Sequence, residues 1–366
     1  MTAGSVYIHV PFCESKCPYC AFKSAPKGDG DEELYVESVR REISRRSSEI
    51  GPIDTLYVGG GTPTALSVGS WRELVNVLES SLSFLDGAEV TVEANPNTLS
   101  AEHIRLWGEW RVNRVSVGVQ SFSDDELSFL GRLHTALQAE EAVVMCEEAG
   151  FCVSLDLMFG LPGASIRDWA RSLRRAVGLR PRHISVYQLT IEPGTPFYER
   201  KFDLPEGYWQ YRYAQWRLPK EGFFQYEISA FASPGYECGH NMNYWADGEY
   251  VGIGPAAWSF TNGARRANAA SLAEYARMTE RGGDAFVFEE RIEGERAARQ
   301  AAVLALRTKK GIDWSVFRSR YGDAFSDAIM RGLAKFPGEL ITCDERGAAL
   351  SKKGMRVGDA IWSDII

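Results

Sequence analysis

The sequence predicts an α/β protein built on a parallel sheet, followed by a smaller α+β unit. Three observations carry this prediction. Strand-like and helix-like segments alternate through six units between Val6 and Leu189, the rhythm of consecutive βα units with right-handed crossovers. The end of every strand-like segment is polar or glycine-rich, as one pocket at the C-terminal ends of parallel strands requires. After Pro193 the alternation stops and gives way to aromatic, turn-rich sequence.

The elements follow in order. Val6–Val10 is a β-rich run, and Asp31–Ser48 carries Tyr35, Val36, Val39 and Ile43 at helical 3/4 spacing. Thr55–Val58 is the second strand, and Trp71, Leu74, Val75 and Leu78 form the stripe of the second helix. Glu89–Ala94 is the third strand, and Ser100 is placed to cap the helix after it. Arg114–Val119 is a strand, and Thr135–Glu148 a helix that stops at Gly150. Val153–Met158, the helix Ser165–Leu179 and the strand Ile184–Leu189 complete the series. Pattern alone admits either an open sheet or a curved, partial barrel. Glu206–Arg217 reads as a helix, and Phe223–Phe260 as short strands and turns. From about Glu290 a helical segment, two shorter helices and a hairpin near Asp344–Gly347 resemble a winged-helix-like packing unit. The expected division is 1–200, 201–290 and 291–366.

Composition bounds the function. Of 366 residues, 45% are hydrophobic and 25% charged, which excludes a disordered or low-complexity chain. No apolar run approaches the roughly 18 residues of a membrane span, so an integral membrane protein is not expected. Met1–Ser5 has neither a basic nor an apolar leader character, so a cytoplasmic protein is expected. The 41 basic and 49 acidic residues give a net charge of −8. From Arg291 to Ile366 there are 14 Lys/Arg and 10 Asp/Glu, +4, which leaves −12 for the remainder. A mildly basic tail on an acidic chain is ordinarily a solvated surface, and no nucleic-acid partner is expected.

The chemistry gathers at the strand ends. Three of the seven cysteines, Cys13, Cys17 and Cys20, follow the first strand with C-x3-C-x2-C spacing. Three thiolates that close can hold three irons of a [4Fe-4S] cluster and leave the fourth iron open. The plainer readings are a zinc knuckle or three unrelated thiols. A structural zinc site closes with four ligands, and the nearest fourth candidate, His9, lies inside the strand. Cys146, Cys152, Cys238 and Cys343 read as small buried hydrophobes, and an odd count argues against a disulfide framework. Gly59–Gly61 follow the second strand and lack the Cβ atoms that would keep a ligand off the backbone; the plainer reading is a tight turn. Glu93, at a strand end, can accept hydrogen bonds from ribose hydroxyls or be merely solvated. Asp156, between Leu155 and Leu157, needs a partner, for which Arg132 is the candidate.

The cysteine triplet, Tyr7, the Gly-Gly-Gly-Thr-Pro loop at 59–63 and Gly-Val-Gln-Ser-Phe at 118–122 resemble the radical S-adenosylmethionine (SAM) superfamily, and within it the HemN/HemW group. The resemblance extends to Gly311-Ile312-Asp313 and implies a partial (β/α)6 barrel with a C-terminal α+β extension. It implies that the cysteines hold a [4Fe-4S] cluster whose open iron is chelated by SAM. It implies a SAM site of Tyr7, Tyr19, Gly60, Gly61, Thr62, Glu93, Gln120, Arg132, Asp156 and Thr190, with the backbone of Trp258 at the adenine.

Two branches of this group differ in readable ways. The coproporphyrinogen dehydrogenase branch has a longer N-terminal arm and a fourth cysteine two residues after the triplet. Here six residues precede Tyr7, and Phe22 holds that position. The haem chaperone branch carries H-N-x-x-Y, present as His240-Asn241-Met242-Asn243-Tyr244. The resemblance therefore implies a haem chaperone that binds haem through His240, Asn241 and Tyr244 and delivers it to an accepting protein. An electron donor is implied if SAM is cleaved. The bland reading of that segment is a structural turn. Cys238 is a competing thiolate, although nothing marks it as activated. The alternatives are an oxygen-independent coproporphyrinogen III oxidase acting on propionate side chains, or another radical SAM enzyme of tetrapyrroles. Ala21 and Trp258 stand where many relatives have Asp and His.

Overall fold

The computed structural model describes residues 3–200 and 203–365. Met1 and Thr2 of the leader reading, and Lys201, where the second segment was expected to begin, lie outside them. The first part runs β1 (Ala3–Val10), α1 (Asp31–Arg45), β2 (Ile50–Gly60), α2 (Val68–Ser81), β3 (Phe84–Ala94), α3 (Ala101–Glu109), β4 (Arg114–Gln120), α4 (Asp124–Phe129), α5 (Ala136–Glu148), β5 (Cys152–Phe159), α6 (Ile166–Gly178) and β6 (His183–Gln188). Strands β1 to β6 are parallel neighbours in sequence order. With no reversal of order, crossovers of one hand put the helices on one face, and the other face is left to enclose a cavity.

Side-chain alternation explains which face is which. Val6, Ile8, Leu56, Val58, Val90, Val92, Val115, Val117, Val153, Leu155, Ile184 and Val186 are buried beneath the helices. Between them, Tyr57, Thr91, Glu93, Ser116, Ser154, Asp156, Ser185 and Tyr187 face inward and line a cavity. The helices start on local signals. Ser100 accepts a hydrogen bond from the backbone N–H of His103, and Thr135/Gln138 and Ser165/Asp168 form reciprocal capping boxes. Helix α1 stops at Arg45, three residues short of the expected end. Arg46 leaves the helical path, and its guanidinium donates to Gly252 O at 2.7 Å and Ser259 Oγ at 3.1 Å. Helix α4 has no counterpart in the sequence reading; it is a six-residue acidic helix between β4 and α5.

The remainder comprises α7 (Pro196–Arg200), α8 (Tyr208–Arg217), β7 (Phe224–Gln225), β8 (Ala230–Ala232), α9 (Gly239–Trp245), β9 (Val251–Ile253), β10 (Trp258–Thr261), β11 (Ala264–Asn268), α10 (Leu272–Glu280), β12 (Phe286–Arg291), α11 (Gly294–Leu306), β13 (Ile312–Asp313), α12 (Trp314–Tyr321), α13 (Asp323–Leu333), β14 (Ile341–Cys343), β15 (Gly347–Leu350) and α14 (Gly358–Ser363). Strand β9 joins β1 in parallel and β8 joins β6 antiparallel, so both ends of the six-stranded sheet are extended by later chain. Strands β10–β12 form an antiparallel sheet, and β13, β15 and β14 another. The last segment has a core of its own, including Leu306, Trp314, Leu333 and Ile361. Asp247 ties it to the extension by accepting from Gln300 Nε2 (2.9 Å), Arg320 Nη2 (3.0 Å) and Tyr321 OH (2.8 Å). The Arg307 guanidinium lies 4.6 Å from the Trp245 ring centre and 4.9 Å from that of Trp362.

Candidate functional site

The cysteine loop leaves β1 and returns to it. Phe12 bridges Ala25, Cys13 N–H donates to Ala25 O at 3.1 Å, and Ala25 N–H donates to Pro11 O at 2.9 Å. His9 clamps the same base through Nε2 and Lys23 O, 2.9 Å apart. The loop so closed presents Cys13, Cys17 and Cys20 to a cavity of about 610 Å³ that runs down the inside of the sheet. Cys13 Sγ lies 3.3 Å from Thr62 Oγ1, and Arg132 Nη1 lies 3.8 Å from Cys17 Sγ. Among the described residues, no three His, Cys, Asp or Glu side chains converge as a single-ion site.

Tyr19, Gly60, Gly61, Thr62, Glu93, Gln120, Arg132, Asp156 and Thr190 line the same cavity as the thiols. The glycines are required chiefly by protein, not by a ligand. A Cβ on Gly60 (φ +116°) would sit 2.7 Å from the His9 ring, one on Gly61 2.5 Å from Phe12 O, and one on Gly59 2.8 Å from the Glu93 carboxyl carbon. Gln120 has φ +63°, rare for a residue with a side chain, at the rim where β4 ends.

Glu93 accepts from Tyr57 OH at 2.9 Å and from Gly60 N–H at 3.1 Å; burial pushes its carboxyl up to about 7. Asp156 is likewise pushed up to about 6 by burial. Its partners are the hydroxyls of Ser116, at 3.1 Å, and Ser185. Arg132 acts on it as the sequence reading expects, but through its charge, which favours the carboxylate, and not through a hydrogen bond. Its Nη2 is spent on Asn95 Oδ1 at 2.8 Å and Gly118 O at 2.9 Å.

Two expected SAM residues do not line the cavity. Tyr7 stacks behind Tyr57 with ring centres 6.1 Å apart, and its hydroxyl meets His9 Nδ1 at 3.2 Å. Trp258 lies on β10, 45% exposed against Phe288. The floor holds residues the sequence reading passed over: Arg114, Thr91, Ser154 and His183. Arg114 pairs with Glu89 at 3.0 Å, and Glu89 in turn accepts the N–H groups of Gly239 and His240 at the start of α9. Strand alternation through Thr55–Tyr57–Gly59 was the signal that would have found Tyr57.

The H-N-x-x-Y residues expected to bind haem lie at different depths. Asn241 reaches the cavity floor, but His240 is 1% exposed and both its ring nitrogens are taken. Nδ1 lies 2.9 Å from Thr55 Oγ1, and Nε2 lies 2.8 Å from the Tyr244 hydroxyl. Its ring stacks on Tyr57 at 5.2 Å. In this structure His240 and Tyr244 hold each other, and the pair anchors α9 beneath the barrel.

His240 and His183 are both buried, which pushes each imidazole down to about 3. The unfolded chain takes up these protons near pH 6.5. It therefore binds more protons than the folded chain between those values, and stability present above pH 6.5 is lost as pH falls. Each histidine should cost about 1.4 kcal/mol per pH unit below 6.5. Urea unfolding at successive pH values should show this slope, reduced by one histidine's share in His240→Asn.

A one-sided parallel barrel with a cysteine-bearing loop after its first strand and a polar axial cavity defines the class of radical SAM proteins. The family model described as the radical SAM superfamily matches residues 7–176. The heme chaperone HemW of Escherichia coli is 41% identical over 260 residues, 69% of each chain. HemW of Bacillus subtilis is 33% identical over 372 residues, covering 98% of each. The structure of the E. coli radical SAM enzyme coproporphyrinogen III oxidase (HemN) superposes with a TM-score of 0.86 at 22% identity, over 100% of this chain and 90% of that one, a likeness of fold. The chain belongs to the HemW family of the radical SAM superfamily.

Proposed function

We propose that the protein is a haem chaperone that carries a [4Fe-4S] cluster and SAM, binds haem and passes it to an accepting protein. The carrying observation is the match to HemW over 98% of both chains. Cys13, Cys17 and Cys20 hold three irons. The donor set fits: three thiols on one closed loop, with the Arg132 guanidinium beside Cys17 to balance charge. Bound together, cluster and SAM supply one-electron chemistry.

Tyr19, Gly60, Gly61, Thr62, Glu93, Gln120, Arg132, Asp156 and Thr190 hold SAM, a reading supported by the one cavity they share with the thiols. Glu93 takes the ribose hydroxyls by giving up Tyr57 or Gly60. Tyr7 acts behind Tyr57 as a positioning residue. Asn241 borders the far end of that cavity, while His240 and Tyr244 hold α9 in place. The protein works in the cytoplasm, and an electron donor is needed only if SAM is cleaved.

The test is an anaerobic assay of the cluster-loaded protein with SAM, a reductant and coproporphyrinogen III. The reading expects no decarboxylated product. Turnover would overturn it in favour of the oxidase. In the coproporphyrinogen dehydrogenase branch a fourth cysteine stands two residues after the triplet; here Phe22 does, 67% exposed at the cavity mouth.

A further inference from the structure

Helix α8 is inside out. A surface helix ordinarily buries its apolar stripe and shows its polar one. Here Gln210, Tyr211, Ala214 and Gln215 are buried, while Trp209 is 62% and Trp216 54% exposed, with Tyr213 half-buried. The glutamines have full employment inside. Gln210 Oε1 accepts from Gly160 N–H at 3.1 Å and its Nε2 donates to Ala164 O at 3.3 Å. Gln215 Nε2 donates to Gln225 Oε1 at 3.0 Å and Lys352 O at 3.1 Å, and its Oε1 accepts from Arg356 Nε at 2.6 Å. Packing thus accounts for the inner face and for part of Tyr213, which rests against the core, and leaves the exposed Trp209 and Trp216 without a packing role.

Cations accompany those rings. The Arg212 guanidinium lies 5.1 Å from the Trp209 ring centre, and Lys220 Nζ lies 3.6 Å from that of Trp216. Residues 209, 212, 213, 216 and 220 repeat at helical spacing along one stripe. The stripe combines amphipathic rings with Lys and Arg and has no exposed leucine or isoleucine. Tryptophan and tyrosine seat at the headgroup level of a bilayer, and cations are drawn to anionic lipid. On a chain of net charge −8, this local positive stripe supplies the charge complementarity that the whole molecule lacks. A ten-residue helix rises about 15 Å, half a bilayer core, so it would lie in the surface plane. Among the described residues, no helix is long and apolar enough to cross a membrane.

We propose that α8 docks the protein peripherally on an anionic phospholipid surface, with Trp209, Tyr213 and Trp216 among the headgroups and Arg212 and Lys220 on the lipid phosphates. The test is co-sedimentation of the full chain with vesicles of phosphatidylglycerol and phosphatidylcholine, and with phosphatidylcholine alone. Binding is expected only to the mixed vesicles and should weaken as salt is raised. Arg212→Gln with Lys220→Gln should lower partition about thirtyfold, and Trp209→Ala with Trp216→Ala at least about tenfold. Val316→Ser, which alters another exposed apolar side chain, should leave partition unchanged. All four replaced side chains are exposed, so unchanged circular dichroism is the folding check. Absence of binding at low salt, equal binding to phosphatidylcholine alone, or unchanged partition in the tryptophan double variant would overturn the proposal. A protein retained by the wild type and lost in that variant, without vesicle binding, would overturn it too and make the face a protein interface.

Discussion

Cys17→Ser will strip the protein of its cluster. The hydroxyl is a poor iron ligand compared with a thiolate, and the remaining two cysteines would leave two irons without protein ligands. Anaerobic reconstitution followed by iron and sulfide determination, visible absorbance and EPR should show near-complete loss, with the same result for Cys13→Ser and Cys20→Ser. Retention of full iron by Cys17→Ser would refute the ligand set. Cys146→Ala, Cys152→Ala and Cys343→Ala should keep iron, because these thiols lie outside the cavity lining.

The largest effect on stability should come from Glu42→Ala. Glu42 on α1 is fully buried, and burial raises its carboxyl above the usual range. It pairs with Arg46 at 3.3 Å and accepts from Tyr275 OH (2.6 Å), Asn268 Nδ2 (2.8 Å) and Gly254 N–H (2.9 Å). One carboxylate thereby fastens α10, β11 and the turn after β9 onto the barrel. Truncation removes one of the two carboxylates paired with a buried guanidinium, Glu49 being the other, and the acceptor of three buried donors together. The expected cost is about 3–5 kcal/mol, read from the urea midpoint. A loss below about 1 kcal/mol would mean that water replaces the carboxylate without penalty.

Glu42 also shows what the sequence could not reveal. Its partners lie more than 200 residues away, at Gly254, Asn268 and Tyr275, and helical periodicity reports only that α1 has an apolar side. The succession of parallel strands was legible from the alternation of strand-like and helix-like segments; that they curve into a barrel was implied only by the resemblance that the cysteine spacing and the glycine loop carry. Residues of the inner wall were legible only where they sat at a strand end. Glu93 and Gln120 were found that way, while Tyr57 and Arg114, both level with Thr91 and one layer below Glu93, were not. His240 shows a related limit: a motif gives the residue types, but the Thr55 and Tyr244 hydroxyls that meet the imidazole are supplied by packing. The inward glutamines of α8, Gln210 and Gln215, were not legible for the same reason: partners such as Gly160 and Lys352 are brought to them only by the fold.

Spectrophotometric titration of haem into the anaerobic, cluster-loaded protein tests the account most directly. It predicts one saturable Soret band, retained in His240→Ala because both ring nitrogens of that histidine are already committed. Transfer of the band to an added apo-haem protein should follow. A chain that binds no haem under these conditions, or one that binds it and never gives it up, would contradict the account.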